Sequence, residues 1–366
     1  MKKILFLGAL QSGGAEHQMV IIARLLKEEG YDVTYFSGSK GDFFQKDLEE
    51  AGIPIIWLKD LRILNLLRLN TLYVTFQVGK ILKAGKYDSV ISFLGFWNFQ
   101  NCWFANKKGT KHRAITGIRN NRDEVFLSVK DRYYTRFERF AYCKVSNSDA
   151  AKEKFAKYYP QLADKLITIY NIVDLPQITS VYQCKKGNKV HIIVPASYRP
   201  VKNPMGLLQG LALLDDQTCQ HLHIDWYGSI KDGQACYDEM CQFIAKHHLE
   251  NVILLHDATT DMANLINEAD VVGLFSTSEG LPNAICEGMM LGKPVIMTRV
   301  SDFEVLAGDG NGYLCDANIP QSIADALMQV SKITYEKLGD MGSKSKEKAE
   351  ALFTKEIVIE QWKSII

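Results

Sequence analysis

Two glutamates, Glu279 and Glu287, stand eight positions apart in the stretch Phe275–Ile296, FSTSEGLPNAICEGMMLGKPVI. One apolar run, Asp270–Phe275, precedes them and another, Lys293–Met297, follows; both read as strands. Between them Gly280 supplies a turn, Pro282 suits the first position of a helix, and Gly292 suits its C-terminal stop. This predicts a helix from about Pro282 to about Leu291, with Glu279 on the loop before it and Glu287 inside it. The N–H groups of Asn283, Ala284 and Ile285 then point back at the loop and form an anion site. Carboxylates accept hydrogen bonds from hydroxyls and a helix N-terminus accepts phosphate. A ligand carrying both groups, such as a nucleotide sugar, fits. A buried strand–helix–strand unit with acids on its solvent side is the alternative.

Such residues need a scaffold, and 366 residues suggest two domains. Hydrophobic residues make up 47% and charged ones 23%, a globular balance that supports sizeable cores. The net charge of +1 hides an asymmetry: Ala51–Arg122 carries twelve basic residues against Asp60 and Asp88, a local +10 that leaves −9 elsewhere. A basic face of this kind attracts membrane phospholipid or lipid phosphate. No nucleic-acid-binding motif accompanies it, so nucleic acid is not expected as a partner. The eight cysteines include no Cys-x-x-Cys pair, which argues for reduced, buried thiols in the cytosol rather than zinc or redox chemistry. The opening MKKILFLGAL stops at Gln11-Ser12-Gly13 with no small-residue cleavage site, so it reads as a first strand rather than a signal peptide. No window approaches 18 uninterrupted apolar residues, and no membrane span is expected.

The elements alternate along the chain. Lys3–Ala9 is a strand, Gln11–Glu16 a glycine-rich turn, Glu16–Glu29 a helix and Asp32–Ser37 the next strand. Gly13 and Gly14 let backbone approach a ligand, but G-x-G-x-x-G is absent. Further strands are expected at Ile53–Leu58, Asp88–Phe93, Arg113–Ile118, Lys144–Ser148 and Leu166–Tyr170. Asp60–Lys86 reads as helical, with Leu61, Leu64, Leu67 and Leu72 either packed inward or dipping into a bilayer surface beside Arg62, Arg68, Lys80 and Lys83. Leu175–Asn188 has linker composition. The second half repeats the pattern, with strands at Lys189–Ala196, His223–Gly228 and Asn251–Leu255 and helices at Gly206–Leu214, Gln234–His247 and Met262–Ala269. Two doubly wound α/β domains facing one cleft follow, over residues 1–175 and 176–353. The seven histidines other than His256 show no metal-ligand spacing and read as structural or surface residues.

Glu279 and Glu287 with seven residues between them, the Gly-Leu-Pro-Asn turn and the Gly-x-Pro-Val-Ile ending resemble the signature of retaining glycosyltransferase family 4, which has the GT-B fold. The likeness extends to Asn171–Asp174, to Phe303–Leu306 and to the glycine-rich Gly308–Leu314. It implies that Glu287 holds the ribose hydroxyls and Glu279 contacts the transferred sugar, with Gly280, Leu281, Pro282, Asn283 and Ala284 completing the donor site. Lys202, in SYRPVKNP, resembles the lysine that holds the donor diphosphate. Its usual arginine partner is replaced by Ser197, which leaves Arg199 to reach the phosphate from another position. By the same resemblance His256 lies in the loop that takes the base, and Gly13 and Gly14 line the cleft, a purely structural turn being the alternative. The family's first-domain histidine is missing: Ile118–Glu124 reads IRNNRDE, where Arg119, Asn120 or Arg122 could meet the acceptor, or Arg119 a loop salt bridge.

The resemblance implies a metal-independent transferase without cofactor. A nucleotide diphosphate-sugar, UDP-linked, would be the donor, and a lipid-linked or saccharide acceptor at the cytoplasmic membrane face the other substrate. The helix over 354–366 is expected to return to the first domain. A nucleotide-sugar epimerase of the same architecture and a non-catalytic scaffold subunit are the alternatives.

Overall fold

A computed structural model describes residues 1–11, 13–38, 43–58, 70–121, 123–180 and 189–366. The chain divides into two compact units, Met1–Ile172 with Lys355–Ile366, and Val173–Thr354.

In the first unit, strands β1 (Lys3–Gly8), β2 (Asp32–Ser37), β3 (Ile55–Trp57), β4 (Ser89–Ser92), β5 (Arg113–Ile118), β6 (Cys143–Ser146) and β7 (Leu166–Thr168) form one sheet. Their order is β3-β2-β1-β4-β5-β6-β7, and all pair in parallel. Because both faces are covered, β1 reads as an unbroken apolar run rather than an alternation. Ile4 and Phe6 pack under helix α1 (Gly14–Glu28) and the last helix, Lys355–Ile365, whose Trp362 is buried in that core. Leu5 and Leu7 face the other way, against Val74, Val78 and Leu82 of α2 (Asn70–Gly85). The aromatic stretch after β4 forms a helix, α3 (Gly95–Ala105), between β4 and β5.

The expected helix over Asp60–Lys86 is described only from Asn70, so Arg62, Arg68, Leu61, Leu64 and Leu67 lie outside the described residues, as does Arg122. Leu72 does not pack inward: it is 68% exposed.

The second unit holds β8 (Val190–Pro195), β9 (Leu222–Tyr227), β10 (Ile253–His256), β11 (Val271–Leu274), β12 (Val295–Thr298) and β13 (Gly312–Cys315), in the order β10-β9-β8-β11-β12-β13. In both sheets the strand order therefore reverses once, at β1/β4 and at β8/β11, and ligands of open parallel sheets bind beyond the strand ends at such a point. In β8 and β9 one set of alternate residues, Ile192, Val194, Ile224 and Trp226 among them, enters the core. The opposite set, His191, His223 and Asp225, lies on the other face.

Three helices place the motif: α4 (Pro204–Leu211) after β8, α5 (Met262–Glu268) before β11, and α6 (Asn283–Met290) after it. Helix α6 lies so close to the sheet that a Cβ at Gly288 would come 2.5 Å from Val272 Cγ2. Beyond α6, Gly292 takes φ +70°, the left-handed stop expected of it. Helix α7 (Tyr335–Phe353) packs on that stop, where a Cβ at Gly342 would lie 2.2 Å from the Gly292 carbonyl oxygen.

Candidate donor-binding site

The two loops beyond β8 and β11 are tied together by short-range bonds. After β8, Tyr198 is buried and its hydroxyl donates to the His256 carbonyl at 2.8 Å. This pins the start of a tight turn over Pro200–Lys202. Asn203 follows at φ +56°, a conformation asparagine tolerates, and its side-chain amide donates to the Ala317 carbonyl at 2.7 Å. After β11, the Thr277 N–H donates to the Val201 carbonyl at 2.9 Å. The Thr298 hydroxyl donates to the Ser276 carbonyl at 2.6 Å, and Ser301 Oγ donates to the Gly280 carbonyl.

These bonds bring Lys202 and Glu279 together across 77 positions of chain: Lys202 Nζ donates to Glu279 Oε1 at 2.6 Å. The Ser276 hydroxyl donates to the same oxygen, also at 2.6 Å. The pair is part-buried, with side-chain exposures of 26% and 13%. Arg199 is exposed and forms no ion pair among the described residues. Lys202 and Glu279 thus form a charge-assisted bond, and Arg199 precedes Lys202 on the same short turn, so this loop carries two cations that an anion could recruit.

Helix α6 begins one residue later than expected, with Pro282 as its cap rather than its first residue. The N–H of Ile285 is already given to the Pro282 carbonyl at 3.1 Å, so it is not one of the helix donors the sequence suggested. Glu287 sits on the second turn. It has no hydrogen-bond or ion-pair partner among the described residues, and burial pushes its carboxyl up to about 7. A half-buried carboxylate without a donor is costly unless something else supplies one. Leu281 is buried and packs as core, while Asn283 and Ala284 are half-buried at the start of α6.

His256, assigned to the base loop by resemblance, is held by its own neighbours in the second unit. Its carbonyl accepts from Tyr198 and from the Gly228 N–H, so that group is already used. Its ring stacks on Tyr227 at 4.3 Å and its Nε2 lies 2.7 Å from Asp225 Oδ1. On the other side of Asp225, His191 Nε2 lies 2.7 Å and His223 Nε2 3.2 Å from Oδ2. Burial opposes the charge on Asp225, but the three histidine bonds outweigh it and hold the carboxyl well below its usual range. His191 and His223, whose spacing along the chain shows no metal-ligand pattern, are direct neighbours, because parallel register pairs them across β8 and β9.

In the first unit Gly13 caps α1 in an extended conformation, and a Cβ there would come 2.2 Å from Glu16 Oε2. The Glu16 carboxylate folded over the turn accounts for that glycine by packing, and Gly14 is the first helical residue. Arg119 forms no loop salt bridge among the described residues. Its guanidinium lies 3.6 Å over the Phe93 ring and donates to Asn171 Oδ1 at 2.9 Å, while Nε and Nη2 are enclosed without a partner. Burial pushes its ionisation down to about 9. With Asn120, it lines a cavity of about 70 Å³ that also contains the buried Lys144–Glu138 pair. Gln18 of α1 bonds both backbone groups of Ile172 at 2.8 Å, which fixes the turn bearing Asn171.

A groove of about 720 Å³ runs between α2 and α3, lined by Leu72, Phe76, Trp103 and Phe104 with Lys80, Lys83, Lys107 and Lys108 at its edges. Leu72 and Phe76 are each 68% exposed. No described helix is long and apolar enough to cross a membrane.

Comparison with known proteins places this geometry. Residues 12–177 match the model for Glycosyltransferase Family 4, and residues 182–348 match that for Glycosyl transferases group 1. The chain is 25% identical over 207 residues to N-acetyl-alpha-D-glucosaminyl L-malate synthase of Bacillus anthracis, a match covering 54% of this chain and 52% of that protein. The chain thus spans about half the length of that relative. It is 26% identical over 299 residues, 79% of this chain and 77% of the other, to an alpha-1,4-N-acetyl-D-galactosaminyltransferase of Campylobacter jejuni named for a diphospho-undecaprenol-linked acceptor. Among solved structures, Anabaena HepE in complex with UDP superposes with a TM-score of 0.82 at 19% identity, covering 100% of this chain and 99% of that one. With two Rossmann-like units, and with family models matching nearly the whole length, the chain belongs to glycosyltransferase family 4 and is a glycosyltransferase of the GT-B type.

Proposed function

We propose that the enzyme is a retaining, metal-independent transferase that moves a sugar from a UDP-sugar to a lipid-linked acceptor in bacterial surface-polysaccharide assembly. The observation that carries this reading is the Lys202–Glu279 pair at the end of β8 and β11, followed on α6 by Glu287, which has no partner among the described residues. In this reading Glu287 receives the ribose hydroxyls. Lys202 leaves Glu279 for the diphosphate, joined by Arg199, and Glu279 then turns to the sugar hydroxyls. The C1–O bond to the diphosphate breaks as the acceptor hydroxyl attacks C1 from the same face. The acceptor proton passes to a leaving phosphate oxygen, and UDP departs with the charge that two cations neutralise. Arg119 and Asn120 are assigned to the acceptor side. The choice of uridine draws support from the UDP bound to HepE.

UDP is expected to raise the melting temperature by about 5 °C at a hundredfold excess over its Kd, equally with EDTA and with magnesium. Stabilisation that appears only with magnesium would overturn metal independence. Stabilisation by guanosine diphosphate but not UDP would overturn the base.

The lysine-rimmed apolar groove between α2 and α3 supports attachment to the cytoplasmic membrane face. Exposed Leu72 and Phe76 would enter the headgroup layer while the lysines meet lipid phosphate. Anionic vesicles are expected to carry the wild-type protein on flotation and to leave the Leu72→Glu/Phe76→Glu variant behind. Equal flotation of the two would remove the membrane reading.

A further inference from the structure

Away from the donor loops, three imidazoles converge on one carboxylate in the second unit. His191 on β8 and His223 on β9 are register partners, and Asp225 lies two residues further along β9 on the same face. One ring nitrogen each of His191 and His223 and an Asp225 oxygen all lie within 4.8 Å of one another. Ligand atoms around a tetrahedral zinc stand about 3.3 Å apart, from bond lengths of about 2.0–2.1 Å. The contacts of 2.7 and 3.2 Å to Oδ2 need only a small outward movement to admit an ion. His256 approaches the other oxygen, Oδ1, at 2.7 Å. That is where an outer partner orients a ligating carboxylate.

We propose that His191, His223 and Asp225 form a binding site for a divalent transition metal of the zinc class, with His256 holding the carboxylate from outside. Two imidazoles and one carboxylate are a donor set suited to zinc, and the fourth position is left to water. The ligands ride on paired strands rather than on loops, so their spacing is set by the sheet. Side-chain exposures of 19%, 32% and 12% for His191, His223 and Asp225 give an ion a route in. Bound there, the metal clasps β8 to β9. Its three ligands are not among the groups assigned to the donor; only the outer partner, His256, is shared with the loop assigned to the base.

Spacing along the chain hides the site. His191 and Asp225 are 34 positions apart, and only their strand register joins them.

The test is a titration of the untagged full-length protein with cobalt(II), followed by competition with zinc. One equivalent of cobalt is expected to give the visible absorption of a tetrahedral nitrogen–oxygen site, and one equivalent of zinc to abolish it. His191→Gln and His223→Gln are expected to weaken binding at least tenfold with unchanged far-ultraviolet circular dichroism. His256→Gln should weaken binding by about 10–100-fold while keeping the same spectrum. His223 is the most exposed of the three ligands, so its variant tests the site even if the others fold poorly. Cobalt affinity unchanged in His223→Gln would overturn the proposal. So would a thiolate charge-transfer band, since described cysteines are free, or no binding at about millimolar metal.

Discussion

Lys202→Ala is expected to reduce sugar transfer by about 10²–10³-fold while costing only about 1 kcal/mol of stability. The two effects separate because the lysine has different partners in the resting and reacting states. At rest it meets Glu279 in a part-buried pair, and losing it leaves Glu279 Oε1 the Ser276 hydroxyl at 2.6 Å. In the transition state it faces a diphosphate that gains negative charge as the glycosidic bond opens, so the interaction is strongest when it matters for rate. Glu279→Gln separates the roles further. It is expected to keep the UDP-induced rise in melting temperature, because Lys202 is then free for phosphate, but to lose turnover. Lys202→Ala should lose both. Comparable turnover in Glu279→Gln and wild type would remove Glu279 from the sugar site. Comparable turnover in Lys202→Ala would remove the cationic pole from the mechanism.

The strand–helix–strand unit that carries the two glutamates was legible before any fold was known, because it follows from local rules; the roles given to Lys202, Arg199, Glu279 and Glu287 came from the resemblance alone. A helix between two buried strands must begin after a turn and stop at a glycine, and Gly292 at φ +70° does so. All the parallel strands but β13 were legible for a related reason, as largely apolar runs, and their ends shifted by only one or two residues; β13 lay hidden in a stretch read only as glycine-rich. The spacing could not show that Lys202 and Glu279 bond to each other. That depends on Thr277 reaching the Val201 carbonyl and on two sheet positions meeting at a reversal of strand order. Helix α3 escaped because it has no polar face to set a period. Its aromatics surround it, and its polar residues Asn98 and Asn101 are buried and bonded to Gly117, Val90 and Ile115 carbonyls. Arg119 escaped differently: a loop arginine suggests an exposed charge, whereas stacking on Phe93 and burial are tertiary events. The histidine cluster is the clearest case of information held in register alone.

Glu287→Gln is expected to stabilise the unliganded protein at pH 8 and to weaken UDP binding about 10–100-fold. The stability gain follows from linkage. The folded carboxyl titrates near 7 and its ordinary value is 4.5, with burial as the cause. Between those values the native state keeps a proton that the unfolded chain has released, so stability falls as pH rises through that window. Above it the whole penalty is present, and glutamine removes it, a gain on the order of 1–3 kcal/mol. Only at about pH 3, well below the ordinary value, are both states largely protonated, and there the substitution should change little. UDP binding has the opposite dependence. Two ribose hydroxyls donate to the ionised carboxylate, so the wild-type affinity should fall as pH drops from 8 to 6 while that of Glu287→Gln stays flat. Calorimetry at those two pH values, with melting curves of the unliganded proteins, reads both effects. A stability gain without loss of pH-dependent UDP affinity would leave Glu287 a buried acid with no part in binding. The two results together would explain why a family 4 site retains a carboxylate that costs its own fold free energy: ligand hydroxyls supply the hydrogen bonds that the protein withholds.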